Sequence, residues 1–343
     1  MENKLNYSQI YAKLVKGLSP KVRNIFDRRF GVKSKNPETL ESIGDSMDIT
    51  RERVRQIEEA GFNFVKKQNK ETLENIFAQF ADYFNSYGGF RKEGLVLEEL
   101  GGKKYKPYVL FLLTLGEQFS KVSEKKDFYY FWSVLQDAKS KVSGNLSTFV
   151  SDLKERGSLM SKEEFLAEFS GKYELPEKTL LSYLEVSKKI RENKDGKIGL
   201  TDWPEIKPRG VKDKAFLVFK KEKNPLHFTK VALLIDKLEY NQPNKKTFPQ
   251  TVHNELIKDS RFVLVGRGTY ALKEWGYEPG TIKEVIEKVL KAKIQPAKKE
   301  DIIKEVLTQR VVAQSTILMN LNNKKYFEKD SEGKYFLRKT ETV

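Results

Sequence analysis

The chain of 343 residues contains no cysteine and only two histidines, His227 and His253. Without cysteine it has no disulfide, no thiolate nucleophile and no Cys-ligated zinc or iron–sulfur site. The two histidines stand in no metal-ligand spacing and read as residues that pack and hydrogen-bond inside a fold. No apolar run reaches the 18 residues that mark a membrane-spanning helix. The opening residues, Met1-Glu2-Asn3-Lys4-Leu5, lack the apolar core of a secretory signal. A cytoplasmic protein with no membrane partner is expected. A Gly-rich phosphate loop, a GxSxG elbow and paired-carboxylate motifs are also missing. The sequence therefore nominates no catalytic residue, no metal and no cofactor, and a binding protein is expected rather than an enzyme.

Positive charge, by contrast, is plentiful. Lys and Arg number 64 against 48 Asp and Glu, a formal net charge of +16. Such an excess attracts polyanions, of which nucleic acid is the commonest in a cell. Hydrophobic residues make up 38% and charged residues 33%, a mixture that builds several small cores rather than one large one. Together with the length, it favours compact helical modules over a single α/β domain.

The sharpest pattern lies in residues 18–67. Leu18, Val22, Ile25, Phe26 and Phe30 recur at helical spacing, and Gly31 stands where a helix C-terminus favours glycine. Asn36-Pro37 punctuates a loop, Leu40, Ile43 and Met47 form a second apolar stripe, and Asp48-Ile49 makes a turn. Thr50 is a good N-cap for a third helix. In that helix Val54 and Ile57 share one side, while Arg51 with Arg55 and Glu52 with Gln56 lie outward at four-residue spacing. Arg, Gln and Glu are the side chains that bond guanine, adenine and cytosine edges in the major groove, although a solvated face of ion pairs has the same composition.

The string Thr50-Arg51-Glu52-Arg53-Val54-Arg55-Gln56-Ile57-Glu58, preceded by Thr39-Leu40-Glu41-Ser42-Ile43-Gly44, closely resembles the C-terminal helix-turn-helix of primary bacterial sigma factors, which reads the promoter −35 element. Leu18-Ser19-Pro20-Lys21-Val22-Arg23 and Arg28-Arg29-Phe30-Gly31-Val32 are similar to its first helices. The resemblance implies that Arg51, Glu52 and Gln56 contact bases and that Arg55 contacts bases or phosphate. It also implies docking of the apolar surface on the flap of the RNA polymerase β subunit. The chain departs from that family after Glu58: Glu59-Ala60-Gly61-Phe62-Asn63-Phe64 replace a basic continuation, and Lys66 and Lys67 restore part of the charge. Nothing resembles the sigma segments that bind the polymerase clamp and melt the −10 region.

The remaining chain carries a weak repeat. Trp132, Trp203 and Trp275 are 71 and 72 positions apart, each closing a similar passage, and Lys334-Tyr335-Phe336-Leu337 closes a fourth without tryptophan. Each unit reads as three apolar-striped helices and a hairpin, as in Arg261-Phe262-Val263-Leu264-Val265 and Thr269-Tyr270-Ala271-Leu272 around Gly266-Arg267-Gly268. That is the winged-helix plan. Asn224-Pro225-Leu226-His227-Phe228-Thr229-Lys230-Val231, Val252 to Phe262 and Gly266 to Trp275 resemble the HARE-HTH module (residues 211–276), the folded part of the δ subunit of Gram-positive RNA polymerase; it also occurs in chromatin and restriction-associated proteins. The array's presumed recognition helices, Tyr108-Val109-Leu110-Phe111-Leu112-Leu113, Leu180 to Glu185 and the one holding Glu255 and Asp259, are poor in cations. Only the fourth ends polar and basic, at Asn320, Asn322, Asn323, Lys324 and Lys325. Arg267, at a wing tip, is a nucleic-acid candidate.

The expected fold is mainly α: a sigma-type helix-turn-helix followed by tandem winged-helix modules with small β-hairpin wings. Expected boundaries are 1–70, 71–137, 138–206, 207–277 (HARE-HTH) and 278–343. Residues Thr50, Arg51, Glu52, Arg55, Gln56, Lys66, Lys67 and Arg267 are the expected DNA contacts. Promoter-like double-stranded DNA and the polymerase core are the expected partners, in the nucleoid. A δ-like accessory subunit acting through protein contacts is the alternative; a nuclease is disfavoured for want of a catalytic cluster.

Overall fold

The computed structural model describes residues 6–34, 36–238, 246–292 and 296–338. The opening Met1 to Leu5, read above for a signal sequence, lies outside them. The chain divides into two compact units, Met1–Asp202 and Trp203–Val343.

The first unit begins with α1 (Tyr7–Leu14), α2 (Pro20–Phe30), α3 (Leu40–Ser46) and α4 (Arg51–Gln68). Proline at the first position of α2 fits a helix start, where its missing N–H is no loss. Gly31 ends α2 at φ 72°, a left-handed cap. After α5 (Lys70–Ser86) come β1 (Phe90–Lys92), α6 (Glu93–Leu115), β2 (Ser120–Val122) and β3 (Phe131–Ser133). Then α7 (Ala138–Arg156), β4 (Met160–Ser161), α8 (Lys162–Tyr173), α9 (Glu177–Val186), β5 (Ile190–Glu192) and β6 (Lys197–Leu200) complete the unit.

The second unit runs α10 (Gly210–Glu222), β7 (Leu226–His227), α11 (Phe228–Lys237), α12 (Pro249–Lys258), β8 (Phe262–Gly266), β9 (Thr269–Leu272) and a 3₁₀ turn, Lys273–Trp275. It ends with α13 (Ile282–Ala292), α14 (Lys299–Gln309), α15 (Gln314–Leu321), β10 (Phe327–Lys329) and β11 (Tyr335–Leu337).

One motif recurs behind α4: a helix, a very short strand, two helices and a hairpin. The sheets are antiparallel, ordered β1-β3-β2, β4-β6-β5 and β7-β9-β8, with β10-β11 as a two-stranded version. In the last, a bridge from Ala297 to Tyr335 stands where the others have a third strand. The fold is mainly α with small β wings, and three of the four wings have a partner strand that hairpin patterning does not reveal. Strands of two or three residues are too short to display alternation. In the first copy the two middle helices merge into α6, broken at Gly102 by φ 56° and ψ −164°.

The buried residues explain why two presumed recognition helices are apolar. Val109, Phe111, Leu112 and Leu113 lie in a core shared with Phe26, Phe30 and Val65. Their half of α6 packs against α1 and α2, and these apolar side chains face the core rather than a groove. Leu180 and Tyr183 of α9 are buried as well, Tyr183 against Phe90 of β1 at 4.8 Å between rings. The acid noted on α9, Glu185, accepts from Arg91 at 2.5 Å. In the second unit Asp259 pairs with Arg261 at 2.6 Å, which also reaches Asp213 at 2.8 Å. The asparagines at the end of α15 are used internally: Asn320 donates to the Thr316 carbonyl, and Asn322 accepts from Tyr335 Oη at 3.0 Å.

Trp132 is buried, and its indole Nε1 donates to Glu93 at 2.9 Å. Trp203 and Trp275 are only half-buried, the latter edge-on to Phe219 at 6.2 Å. His253 lies against Tyr270 Oη at 3.1 Å. His227 is exposed and instead caps α11, with Nδ1 2.8 Å from Thr229 Oγ1. Within the second unit, Val311 N–H donates to the Val265 carbonyl of β8 at 2.8 Å. The buried Arg310 guanidinium donates to the carbonyls of Glu278 and Gly280 at 3.0 and 2.7 Å. The Tyr277-Glu278-Pro279-Gly280 junction is thereby clamped between its two modules.

Candidate nucleic-acid interface

The first four helices form the site. Thr50 sits in extended backbone, and its Oγ1 accepts the Arg53 N–H at 3.1 Å, satisfying one of the orphan donors of α4. Ile25, Ile43 and Val54 form a small sealed core, with Leu40, Met47, Ile49 and Ile57 around it. Farther along, α4 crosses α2 closely enough that a Cβ on Gly61 would meet Val22 Cγ1 at 2.6 Å and Phe26 Cζ at 2.8 Å. The glycine in place of a basic continuation is thus a packing residue. Phe62 then stacks on Phe26 at 5.0 Å.

Ion pairs fasten α2 to its neighbours. Arg28 donates to both carboxylate oxygens of Glu38, at 2.9 and 2.5 Å, and to Ser46 Oγ at 2.6 Å. Arg28 holds the Glu38 carboxyl below the usual carboxylate range. Arg29 lies 3.5 Å from Glu58, which burial pushes upward despite that cation.

With the apolar edge buried, α4 leaves Arg51, Glu52, Arg53, Arg55 and Gln56 exposed. They differ in availability. Arg55 lies between two acids, Glu52 at 2.8 Å and Glu59 at 3.0 Å, and hydrogen bonding to it holds the Glu52 carboxyl low. Arg53 donates to Gln56 Oε1 at 3.2 Å; the sequence reading passed over this arginine although it belongs to the same string. Arg51 has no hydrogen-bond or ion-pair partner among the described residues. Lys67 is exposed, but Lys66 is half-buried and bound to Glu117 at 2.7 Å. That pair joins residues 51 positions apart, beyond the reach of any local pattern.

The aromatic surface of α2 and α4 is covered from within the chain. Phe111 of α6 lies 5.4 Å from Phe26, 5.3 Å from Phe30 and 6.0 Å from Phe62, and 5.1 Å from Tyr11 of α1. Tyr11 Oη donates to the buried Asp27 at 2.9 Å, and burial plus that carboxylate raises the phenol far above its usual range.

An exposed polar helix, capped by a threonine and held at a tight turn to a second helix, is the arrangement of a helix-turn-helix. Residues 14–67 match the family model Sigma-70, region 4. The segment is also 34% identical over 61 residues to the RNA polymerase sigma factor SigA of Nostoc sp. (strain PCC 7120). The alignment covers 18% of this chain and 16% of that relative, so the region-4-like segment is a small part of both. Residues 209–275 match a second family model, HARE-HTH, whose description includes a restriction endonuclease HTH domain. Both are DNA-binding helix-turn-helix types, joined here in one chain. No solved structure matches.

In that second match Arg267, at the β8–β9 tip, is exposed. The glycines beside it are hemmed in: a Cβ on Gly266 would meet the Val311 carbonyl at 2.4 Å, and one on Gly268 the His227 ring at 2.5 Å. Among the described residues no group of three or more His, Asp or Glu is placed to hold a metal. No helix among them is long and apolar enough to cross a membrane.

Proposed function

We propose that the chain is a transcription regulator that binds promoter DNA together with bacterial RNA polymerase, and that α4 reads a −35-like element. The observation that carries this reading is the exposed Arg51, Glu52, Arg55 and Gln56 on a Thr50-capped helix within a region-4-like segment. Arg51 and Gln56 suit guanine and adenine, and Glu52 the cytosine amino group. Arg55, shared by two carboxylates, anchors to phosphate only by leaving one of them. Lys67 and the wing-tip Arg267 supply sequence-independent contacts, and Lys66 does so on release from Glu117. The modules 71–137, 138–206, 207–277 and 278–343 extend the contact along DNA or polymerase. Regulation is by recruitment or competition, without covalent chemistry.

The test is binding of the full chain to duplexes in which a −35-like element is varied one base pair at a time. Arg51→Ala is expected to lose about 1–3 kcal/mol at a single position. Equal loss on every sequence would overturn base reading.

A second reading, a δ-like accessory subunit acting through protein contacts, is favoured by a specific feature. The acids Glu52, Glu59 and Glu117 occupy Arg55 and Lys66. Docking on the polymerase β flap through the aromatic surface would require Phe111 to withdraw. Co-purification with polymerase after nuclease treatment, without sequence-selective DNA binding, would establish this alternative.

A further inference from the structure

A second cationic surface lies away from α4, at the seam between the first two repeats. Residues 127–130 form a strap there. Tyr129 N–H donates to the Val186 carbonyl at 2.9 Å, Lys188 N–H to the Asp127 carbonyl at 2.8 Å, and Glu93 N–H to the Tyr130 carbonyl at 3.2 Å. The strap brings three cations onto one ring: Lys92 Nζ is 4.2 Å, the Arg191 guanidinium 4.9 Å and Lys188 Nζ 5.1 Å from the Tyr129 centroid. Arg191 also donates to the Tyr129 hydroxyl. The adjacent Tyr130 is 45% exposed, with Lys121 Nζ 5.2 Å from its centroid. Lys125 and Lys126 stand exposed on the same wing.

Two acids answer these cations, and a third holds the neighbouring Lys189. Glu93 takes Lys121 at 2.5 Å, Glu124 takes Lys188, and Asp127 takes Lys189 at 2.7 Å. Among the described residues Lys92, Lys125, Lys126 and Arg191 have no carboxylate partner. Cations gathered on a single ring repel one another, and the ring quadrupole offsets only part of that repulsion. An anion completes the arrangement. Phosphates spaced along a strand match spread cations, and an exposed flat ring between them offers a face to a sugar or base.

We propose that the surface built on Tyr129 and Tyr130 is a second, sequence-independent contact to the sugar–phosphate backbone of DNA. It rests on the reading that this chain binds DNA, but not on base reading by α4. The test compares the full-length variants Lys125→Gln/Lys126→Gln and Lys139→Gln/Lys141→Gln, the latter removing equal charge from the exposed face of α7. Affinity for duplexes of several sequences is measured across salt. The first pair is expected to weaken all sequences alike, by roughly tenfold at low salt, and to lower the log–log salt slope by about 1–2. The second pair should stay within about twofold of the wild type. Because both pairs are exposed, thermal unfolding should be unchanged in each. Equal losses from both pairs would overturn the proposal. So would unchanged DNA affinity with lost polymerase co-purification, which would assign the surface to an acidic protein. Binding that is salt-dependent yet blind to sequence would sink only the role of α4; no DNA binding at all would sink both.

Discussion

At the scale of single residues, the site depends on which charges are already spent. Arg51 and Arg55 look equivalent in the string, yet two carboxylates hold Arg55 and none among the described residues holds Arg51. Glu59→Ala is therefore expected to strengthen DNA binding across all sequences, by releasing Arg55 and removing a negative charge; a titration against mixed-sequence duplex checks this. Thr50→Ala removes the cap of α4 and should lower stability by about 1 kcal/mol in denaturant unfolding. Glu58 gives a pH signature. Burial raises its folded pKa above the unfolded value, so the native state binds more protons than the unfolded chain. Its contribution to stability is then greatest at or below the ordinary glutamate range and declines as pH rises toward the raised value. Glu58→Gln should flatten that part of the stability–pH curve, read by urea unfolding in steps from pH 4 to pH 7.

At the scale of elements, two contacts decide how α4 is held. Gly61 lets α2 and α4 approach to a distance that leaves no room for a methyl group. Gly61→Ala is expected to cost about 1–3 kcal/mol by overpacking against Val22 and Phe26, seen as a lower urea midpoint. Phe111 makes the other contact, filling the aromatic surface of Phe26, Phe30 and Phe62. The helix stripe, the cap and the outward set on α4 were legible in the sequence, because period, capping and turn chemistry act within a few residues. The role of α6 was not: an apolar hexapeptide reads equally as a poor recognition helix or as core, and only its long-range neighbours distinguish the two. The short strands β1, β4 and β7 were missed for the related reason that their identity lies in their pairing partners, 30 or more positions away.

At the scale of the whole molecule, the charge is unevenly placed. Residues 203–343 hold 29 Lys and Arg against 18 Asp and Glu, whereas residues 1–202 hold 35 against 30. The general attraction to polyanions therefore comes chiefly from the second unit, while the region-4-like segment supplies side chains suited to base edges. The two compact units have separate cores. Calorimetry of the full chain should show more than one transition, with a calorimetric enthalpy above the van't Hoff value. Phe111→Ala should move one transition downward, by about 3–5 kcal/mol of stability in its own unit, and leave the other in place.

The sequence by itself determined the mainly helical modules, the Thr50 cap, the outward set on α4 and the candidate wing at Arg267. All of these follow from side-chain spacing and local hydrogen bonding. Tertiary structure alone decided that Glu117 reaches Lys66, that Phe111 covers the aromatic surface, and that cations from two distant stretches meet on Tyr129. Those outcomes depend on which elements pack together, and packing joins residues whose separation along the chain carries no periodic signal.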